Sequence, residues 1–274
     1  MRWVAVRVFK IGGSVLAREL DKTVNALSPI LKKDLVVHGG GALVDELTKR
    51  LGIEPKVVTS PQGVVSRYTD EQTMNAVTMA IAGLANKALV TALLVKGVRA
   101  VGLSGADGLQ VRAERKERIV IINERGRQQA VDGGYSGRIV DFDPTLATLL
   151  LGGGYVPVIA PVCATPSGRL LNTNSDVLAQ KVACSLVADE LIFLTNVPGV
   201  MVSGSVVHFL SLKQAQQILP AVGQGMQRKV MAAVDAVKAG VKLVKIVPVS
   251  EELASLLYQE DFGTTVGEGN AREP

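Results

Sequence analysis

Aromatic side chains are scarce in this chain: Phe, Trp and Tyr make up 4% of its 274 residues, with a single Trp. The core therefore has to be filled by Val, Leu, Ile and Ala, and a hydrophobic content of 47% supplies them in ample measure. Cysteine is rare too. Cys163 and Cys184 have twenty residues between them, lie in apolar contexts and have no CxxC partner or His cluster nearby. They read as reduced buried thiols, not as a disulfide framework or a metal site. His38 and His208 are the two histidines, and no acidic pair frames either. A structural role suffices for both, and His38 is also placed to orient the glycine turn that it introduces.

Long apolar runs are missing. The N-terminus, Met1-Arg2-Trp3-Val4-Ala5-Val6-Arg7-Val8, is broken by charge and too short for a signal peptide. No stretch reaches the roughly 20 apolar residues of a membrane helix, so a cytoplasmic protein without a membrane partner is expected. Neither sign of charge dominates: 30 basic and 25 acidic residues leave +5 and a pI near 9.2. That is mildly basic, short of a dedicated nucleic-acid binder, and interleaved aromatics or a known nucleic-acid module are lacking as well. The standard nucleotide signatures are also absent. There is no GxxxxGK loop, no HRD and DFG pair, no GxGxxG opening the first helix and no nucleophile elbow. No metal-ligand spacing is found, so no protein-held metal is expected.

What is present is a regular alternation. Val- and Ile-rich runs without polar alternation, as strands buried on both faces require, recur between helical segments. Strands are expected at residues 4–9, 34–37, 98–103, 156–162, 190–195, 206–210 and 241–247. Helices are expected at 20–33, from 41 to 51, at 144–151, at 174–187 and at 224–239. Thr69-Asp70-Glu71-Gln72 reads as a capping box headed by Thr69, launching a helix to about residue 82, with a second one through Lys96. Residues 112–138, dense in charge and carrying the turn Asn123-Glu124-Arg125-Gly126, read as hairpins. This order specifies an α/β fold with a mainly parallel sheet. A lobe boundary falls near residue 168, giving lobes 1–167 and 168–274. No Gly/Ser linker marks it, so one sheet is expected to run through both.

Three glycine-rich turns follow strands: Lys10-Ile11-Gly12-Gly13-Ser14, His38-Gly39-Gly40-Gly41, and Leu103-Ser104-Gly105-Ala106-Asp107-Gly108. Glycine lets a ligand approach the backbone, and N–H groups at a helix start favour anions. Leu171-Asn172-Thr173-Asn174-Ser175-Asp176 places two amides and a carboxylate at a strand-to-helix junction, where Asn174 or Ser175 is suited to cap the helix. Thr195-Asn196-Val197-Pro198-Gly199-Val200 follows the next strand as a rigid turn. Gly225-Met226-Gln227-Arg228-Lys229 opens a late helix. A lysine so near a helix start lies against the dipole, which suggests that it serves a bound anion.

Taken together and in this order, these segments resemble the amino-acid kinase family, and within it the acetylglutamate kinase branch. The resemblance implies a three-layer αβα sandwich, with the acyl acceptor and the dimer contact in the N-terminal lobe and ATP with Mg²⁺ in the C-terminal lobe. It implies that Lys10 and Lys229 neutralise the transferring phosphoryl group and that Asp176 holds both lysines. Gly40, Gly41, Arg67 and Asn172 match the acceptor-binding positions, with Arg67 on the α-carboxylate. Gly12, Gly13, Thr195, Asn196 and Gly199 match positions near the nucleotide. The chemistry suits the composition. A side-chain carboxylate is already ionised at neutral pH and needs no base to attack phosphorus; it needs positioning and charge neutralisation across a loose transition state.

Between Arg112 and Arg138 stand seven basic residues and four acidic ones. Gly133-Gly134-Tyr135-Ser136-Gly137-Arg138 ends in a basic residue where acetylglutamate kinases usually carry an acidic one. Both features resemble kinases that act on glutamate or 2-aminoadipate borne on an acidic amino-group carrier protein, in lysine and in some cases arginine biosynthesis. Arg115, Lys116, Arg118 and Arg138 are the expected carrier contacts, since a basic hairpin would steer an acidic partner. Kinase action on free N-acetylglutamate is the alternative. A nonenzymatic member of the fold is a third reading, against which the joint presence of Lys10, Asp176 and Lys229 argues. Two departures stand out: Asn196 replaces the usual Asp, and Gly223-Gln224-Gly225-Met226 loosens a more compact motif. The chain starts at its first strand, without the N-terminal helix of arginine-inhibited hexamers, so a dimer without that feedback site is expected.

Overall fold

The computed structural model describes residues 6–61, 63 and 65–269; the expected strand start at Val4 and Ala5 and the N-terminal residues before it lie outside the described residues. β1 (Arg7–Ile11) is buried on both faces beyond Arg7, as a central strand must be. α1 (Gly13–Arg18) opens directly on the glycine turn and α2 (Leu20–Leu27) follows. The helix expected at 20–33 stops early because Pro29, without an N–H, cannot continue it. Next come β2 (Leu35–His38), wholly buried, and α3 (Gly41–Arg50). A hairpin of β3 (Val57–Thr59) and β4 (Val65–Arg67) precedes α4 (Glu71–Val77), a π-helical stretch Thr78–Ala85 and α5 (Asn86–Val95).

These last three segments form one continuous 25-residue helix, Glu71–Val95, not two. The structure corrects two expectations here. The N-cap is Asp70, whose side chain accepts from the Thr73 N–H, while Thr69 lies outside the helix and accepts from Asn172. The helix also has the length and mean hydropathy, 1.7, to cross a membrane. Asn75, Thr78, Gly83, Asn86 and Lys87 interrupt the apolar run in sequence, which hid this length. In the fold, 44% of its most apolar window is buried inside the protein.

The chain continues through β5 (Ala100–Ser104) into four strands, β6 (Val111–Arg115), β7 (Arg118–Ile122), β8 (Gln128–Asp132) and β9 (Gly137–Phe142). β7 and β8 pair as the expected basic hairpin. After α6 (Thr145–Gly152) and β10 (Val156–Ala160), the short strands β11 (Val162–Ala164) and β12 (Leu170–Asn172) join β6 and β9 in a second, four-stranded sheet. α7 (Ser175–Ser185) is capped by Asn174, which accepts from the N–H groups of Asp176 and Val177. β13 (Glu190–Thr195), β14 (Met201–Val202), β15 (Ser205–Val206) and β16 (Phe209–Ser211) lead to α8 (Leu212–Gln217), launched by a Ser211–Gln214 capping box. α9 (Gln224–Lys238), β17 (Leu243–Pro248), α10 (Leu253–Leu256) and β18 (Thr264–Gly267) complete it. The elements β3, β4, β14, α8, α10 and β18 had no counterpart in the sequence reading, whereas β12 supplies the strand of the expected strand-to-helix junction at Leu171–Asp176.

The main sheet has eight strands in the order β16-β18-β17-β13-β1-β2-β10-β5, parallel throughout except where β18 meets β17. Strands from before and after residue 168 thus lie in one sheet. Alternate residues of β1 serve opposite layers: Val8 packs with α7, α8 and α9, and Phe9 and Ile11 pack with α1, α2, α5 and α10. The architecture is a three-layer αβα sandwich, as expected.

Candidate functional site

β1 lies between β2 and β13, all three parallel, so the chain winds away from β1 in both directions. The crevice beyond the carboxyl ends of strands at such a reversal is where open α/β sheets bind ligands. Gly12 and Gly13, Gly39 to Gly41, and Thr195 onward all leave the sheet here.

Lys10 stands one residue before the end of β1 and is 3% exposed. Its Nζ lies 2.7 Å from Oδ1 of Asp176, in the first turn of α7; this is a contact of charge, off hydrogen-bond geometry at that oxygen. Lys229, in α9, brings its Nζ to 3.6 Å from Asp176 Oδ2 and 3.4 Å from the Gly225 carbonyl. The structure therefore unites Lys10, Asp176 and Lys229 from three elements. Burial pushes the Asp176 carboxyl up, but Lys10 and Lys229 outweigh it and hold it below the ordinary carboxylate value. Burial and the neighbouring Lys10 push Lys229 down, with Asp176 offsetting them in part. The ammonium groups of buried Lys10 and half-buried Lys229 share one carboxylate. A surplus cation withdrawn from water is unfavourable without a counter-charge, so the cluster is suited to an anion.

The two early glycine turns meet backbone to backbone. A Cβ on Gly13 would stand 2.8 Å from the Gly40 nitrogen and 3.0 Å from that of Gly41. A Cβ on Gly40 would stand 2.9 Å from Ile81 Cγ1. The Gly12 N–H is taken by the Leu194 carbonyl at 3.2 Å, whereas those of Gly13, Gly40 and Gly41 donate to no acceptor among the described residues. Three free N–H groups beside two lysines form a surface suited to anionic oxygens. The third glycine turn differs, because Gly105 is required by packing: a Cβ there would fall 2.6 Å from Cys163 Sγ.

Thr195 is buried at the end of β13, and Asn196 is exposed just beyond it. Gly199 is explained by packing, since a Cβ there would meet Thr264 Oγ1 at 2.8 Å. Arg67 at the end of β4 pairs with Asp45 of α3 and lies 3.5 Å from the Gly41 carbonyl. Asn172, ending β12, donates to Thr69 Oγ1 at 3.1 Å. Arg169 stacks on the Tyr135 ring, 4.4 Å from its centre.

The four expected carrier contacts separate into two kinds. Arg115 is mostly buried and engaged by Glu117, Asp132 and the Gly134 carbonyl, so it braces the base of the hairpin. Arg138 is exposed but paired with Glu114. Lys116 and Arg118 are exposed and form no ion pair among the described residues.

Sequence reasoning missed a buried pair beneath the second glycine turn. His38 and Asn86 are fully buried and 3.0 Å apart. The available signal was a lone amide at a core-facing position of an apolar helix.

This arrangement of free glycine N–H groups, two lysines and a shared carboxylate, without a base, accords with a phosphotransferase of the amino-acid kinase fold. The sequence profile of the Amino acid kinase family matches residues 5–248, and the chain belongs to that family. It is 45% identical to a LysW-aminoadipate/LysW-glutamate kinase of Pyrobaculum calidifontis over 86% of this chain and 90% of that one. Its identity with the protein of the same name in Cenarchaeum symbiosum is 42%, over 95% and 98%. Carbamate kinase of Giardia lamblia shares the fold with a TM-score of 0.66 at 15% identity, over 98% and 100%.

Proposed function

We propose that this chain transfers the γ-phosphoryl group of ATP to the side-chain carboxylate of 2-aminoadipate, glutamate or both, borne on an acidic amino-group carrier protein. The product is an acyl phosphate of lysine, and with glutamate of arginine, biosynthesis in the cytoplasm. The observation that carries the reading is the buried Lys10–Asp176–Lys229 cluster beside the free glycine N–H groups. The kinship with LysW-directed kinases points to the carrier-borne acceptor.

The acceptor carboxylate attacks as the anion that it already is at neutral pH. Arg67 exchanges its pairing with exposed Asp45 for the acceptor α-carboxylate, with Asn172 at the same end and the Gly40–Gly41 backbone beneath. Lys10 and Lys229 take up charge as it spreads over the phosphoryl oxygens, and Asp176 keeps the two ammonium groups apart and aimed. Among the described residues no three His, Cys, Asp or Glu side chains converge to hold a metal, and Asp176 is already engaged by the lysines. Mg²⁺ therefore fits as an ion carried on the nucleotide phosphates, where it supplies further charge neutralisation. The acceptor lobe is 1–167 and the nucleotide lobe 168–274, with Gly12, Gly13, Thr195, Asn196 and Gly199 lining the nucleotide side. Exposed Met79, Leu84, Leu94 and Val95 on the long helix suit a homodimer contact in the N-terminal lobe.

The test is ATP consumption with hydroxylamine trapping of the acyl phosphate, comparing carrier-borne aminoadipate, carrier-borne glutamate and free N-acetylglutamate. Faster turnover of the free acceptor would replace this reading with N-acetylglutamate kinase activity, and no acyl phosphate from any acceptor would end it.

A further inference from the structure

We infer that Asn86 is a positioning residue of the phosphoryl-transfer site, acting through His38 to fix the glycine turn Gly39–Gly41.

The orientation of the Asn86 amide is fixed by its neighbours. Its nitrogen lies 2.9 Å from the Val158 carbonyl of β10 and 3.3 Å from the Leu103 carbonyl of β5, while its oxygen receives Lys87 Nζ at 3.2 Å. The flipped amide would set oxygen against two carbonyl oxygens, so the nitrogen is fixed as the donor. That nitrogen is also 3.0 Å from His38 Nε2, which must then be an acceptor. The imidazole proton is thereby placed on Nδ1, which donates to the Gly39 carbonyl at 2.9 Å. One buried amide thus selects the histidine tautomer, and the histidine holds the first peptide of the turn whose next two N–H groups are free.

Two independent features make room for this relay. Gly102 of β5 is obligatory, because a Cβ there would lie 2.0 Å from Asn86 Oδ1. The π-helical stretch Thr78–Ala85 ends immediately before Asn86, and π segments commonly occur at functional sites. It sets Ile81 against Gly40 and Asn86 beneath His38 from one helix. The charged groups facing the imidazole are Lys10 of β1 and Lys87 of α5, and both disfavour a protonated ring.

The inference rests on the phosphoryl-transfer reading for its kinetic arm alone. The other arm is ring ¹⁵N NMR of the wild-type protein, where the chain's two histidines make assignment simple. A neutral Nδ1–H tautomer for His38 at pH 7 is expected, and an Nε2–H tautomer would overturn the relay whatever the acceptor proves to be. In the kinetic arm, Asn86→Asp reverses the polarity at Nε2 and should give a doubly protonated or Nε2–H ring. It should lower kcat about 10-fold to 100-fold, the scale of a small misplacement at a reacting centre, while KM for the acceptor stays within about two-fold. Should Asn86→Asp fail to fold, Gly102→Ala displaces the same amide without touching His38 and should lower kcat in the same way. A folded variant of either kind with wild-type kcat overturns the positioning role.

Discussion

Asp176 has two cations and one charge. Removing it leaves buried Lys10 and half-buried Lys229 adjacent and uncompensated, and breaking a buried pair from one side costs about 3–5 kcal/mol. Asp176→Ala is expected to lower the urea midpoint by a matching amount, and ATP should restore more stability to it than to the wild type, because phosphate oxygens replace the missing carboxylate. Equal stabilisation of the two proteins would show that the lysines do not meet the nucleotide. Lys10 and Arg67 separate kinetically. Lys10→Ala removes charge stabilisation that grows in the transition state, so kcat should fall about 10²–10³-fold with little change in acceptor KM. Arg67→Ala removes a contact made alike before and during transfer, worth about 1.5–3 kcal/mol, and should act mostly on KM. Near-wild-type kcat in Lys10→Ala would refute the charge-neutralising role.

Among the elements, the strands were the most legible. β13 falls where an unbroken apolar run ends at Thr195, because a strand buried on both faces advertises itself by composition. Short elements announce themselves poorly: β18 is four residues long although it lies inside the sheet between β16 and β17, and α8 is a six-residue helix whose Ser211–Gln214 cap alone marked it. At the site, Lys10, Asp176 and Lys229 were readable as residues, but their meeting depends on β1, α7 and α9 packing together. Arg115 and Gly105 show the opposite limit. Their residue types suggested ligands, and in the structure one is a half-buried, ion-paired brace and the other packs closely against Cys163. The junction of β2 with α5 yields a test at this scale. Burial holds His38 neutral, with its pKa pushed down to about 4; the Gly39 carbonyl opposes this, and Lys10 and Lys87 add to it. Below about pH 6.5 the unfolded chain gains a proton that the fold refuses. Stability present above that pH should therefore decline until about pH 4, by about 3 kcal/mol in all. Urea titrations at pH 7 and 4.5 read this, and His38→Gln should flatten the dependence; an unchanged slope in the variant would assign the acid sensitivity elsewhere.

For the whole molecule, the surplus of +5 matters by where its unpaired part lies. Arg115 and Arg138 spend their charge on Glu117, Asp132 and Glu114; among the described residues, exposed Arg125 and Arg127 at the tip of the β7–β8 hairpin form no ion pair, and neither do exposed Lys116 and Arg118 at its base. An acidic carrier would feel these charges over a Debye length of about 10 Å at 0.1 M salt, whereas a small free acceptor would gain little from them. Raising salt from 50 to 300 mM should therefore increase KM several-fold for a carrier-borne acceptor and leave kcat nearly unchanged, because rim charges act on encounter and not on chemistry. Lys116→Ala/Arg118→Ala should raise KM at low salt and reduce its salt dependence. Arg115→Ala should instead lower thermal stability, since it unties the hairpin from Asp132 and the Gly134 carbonyl. A salt-independent KM in the wild type would mean that the hairpin charges do not recruit the carrier. A loss of salt dependence in Arg115→Ala, with the hairpin still folded, would mean that the paired arginine is the one the carrier reads.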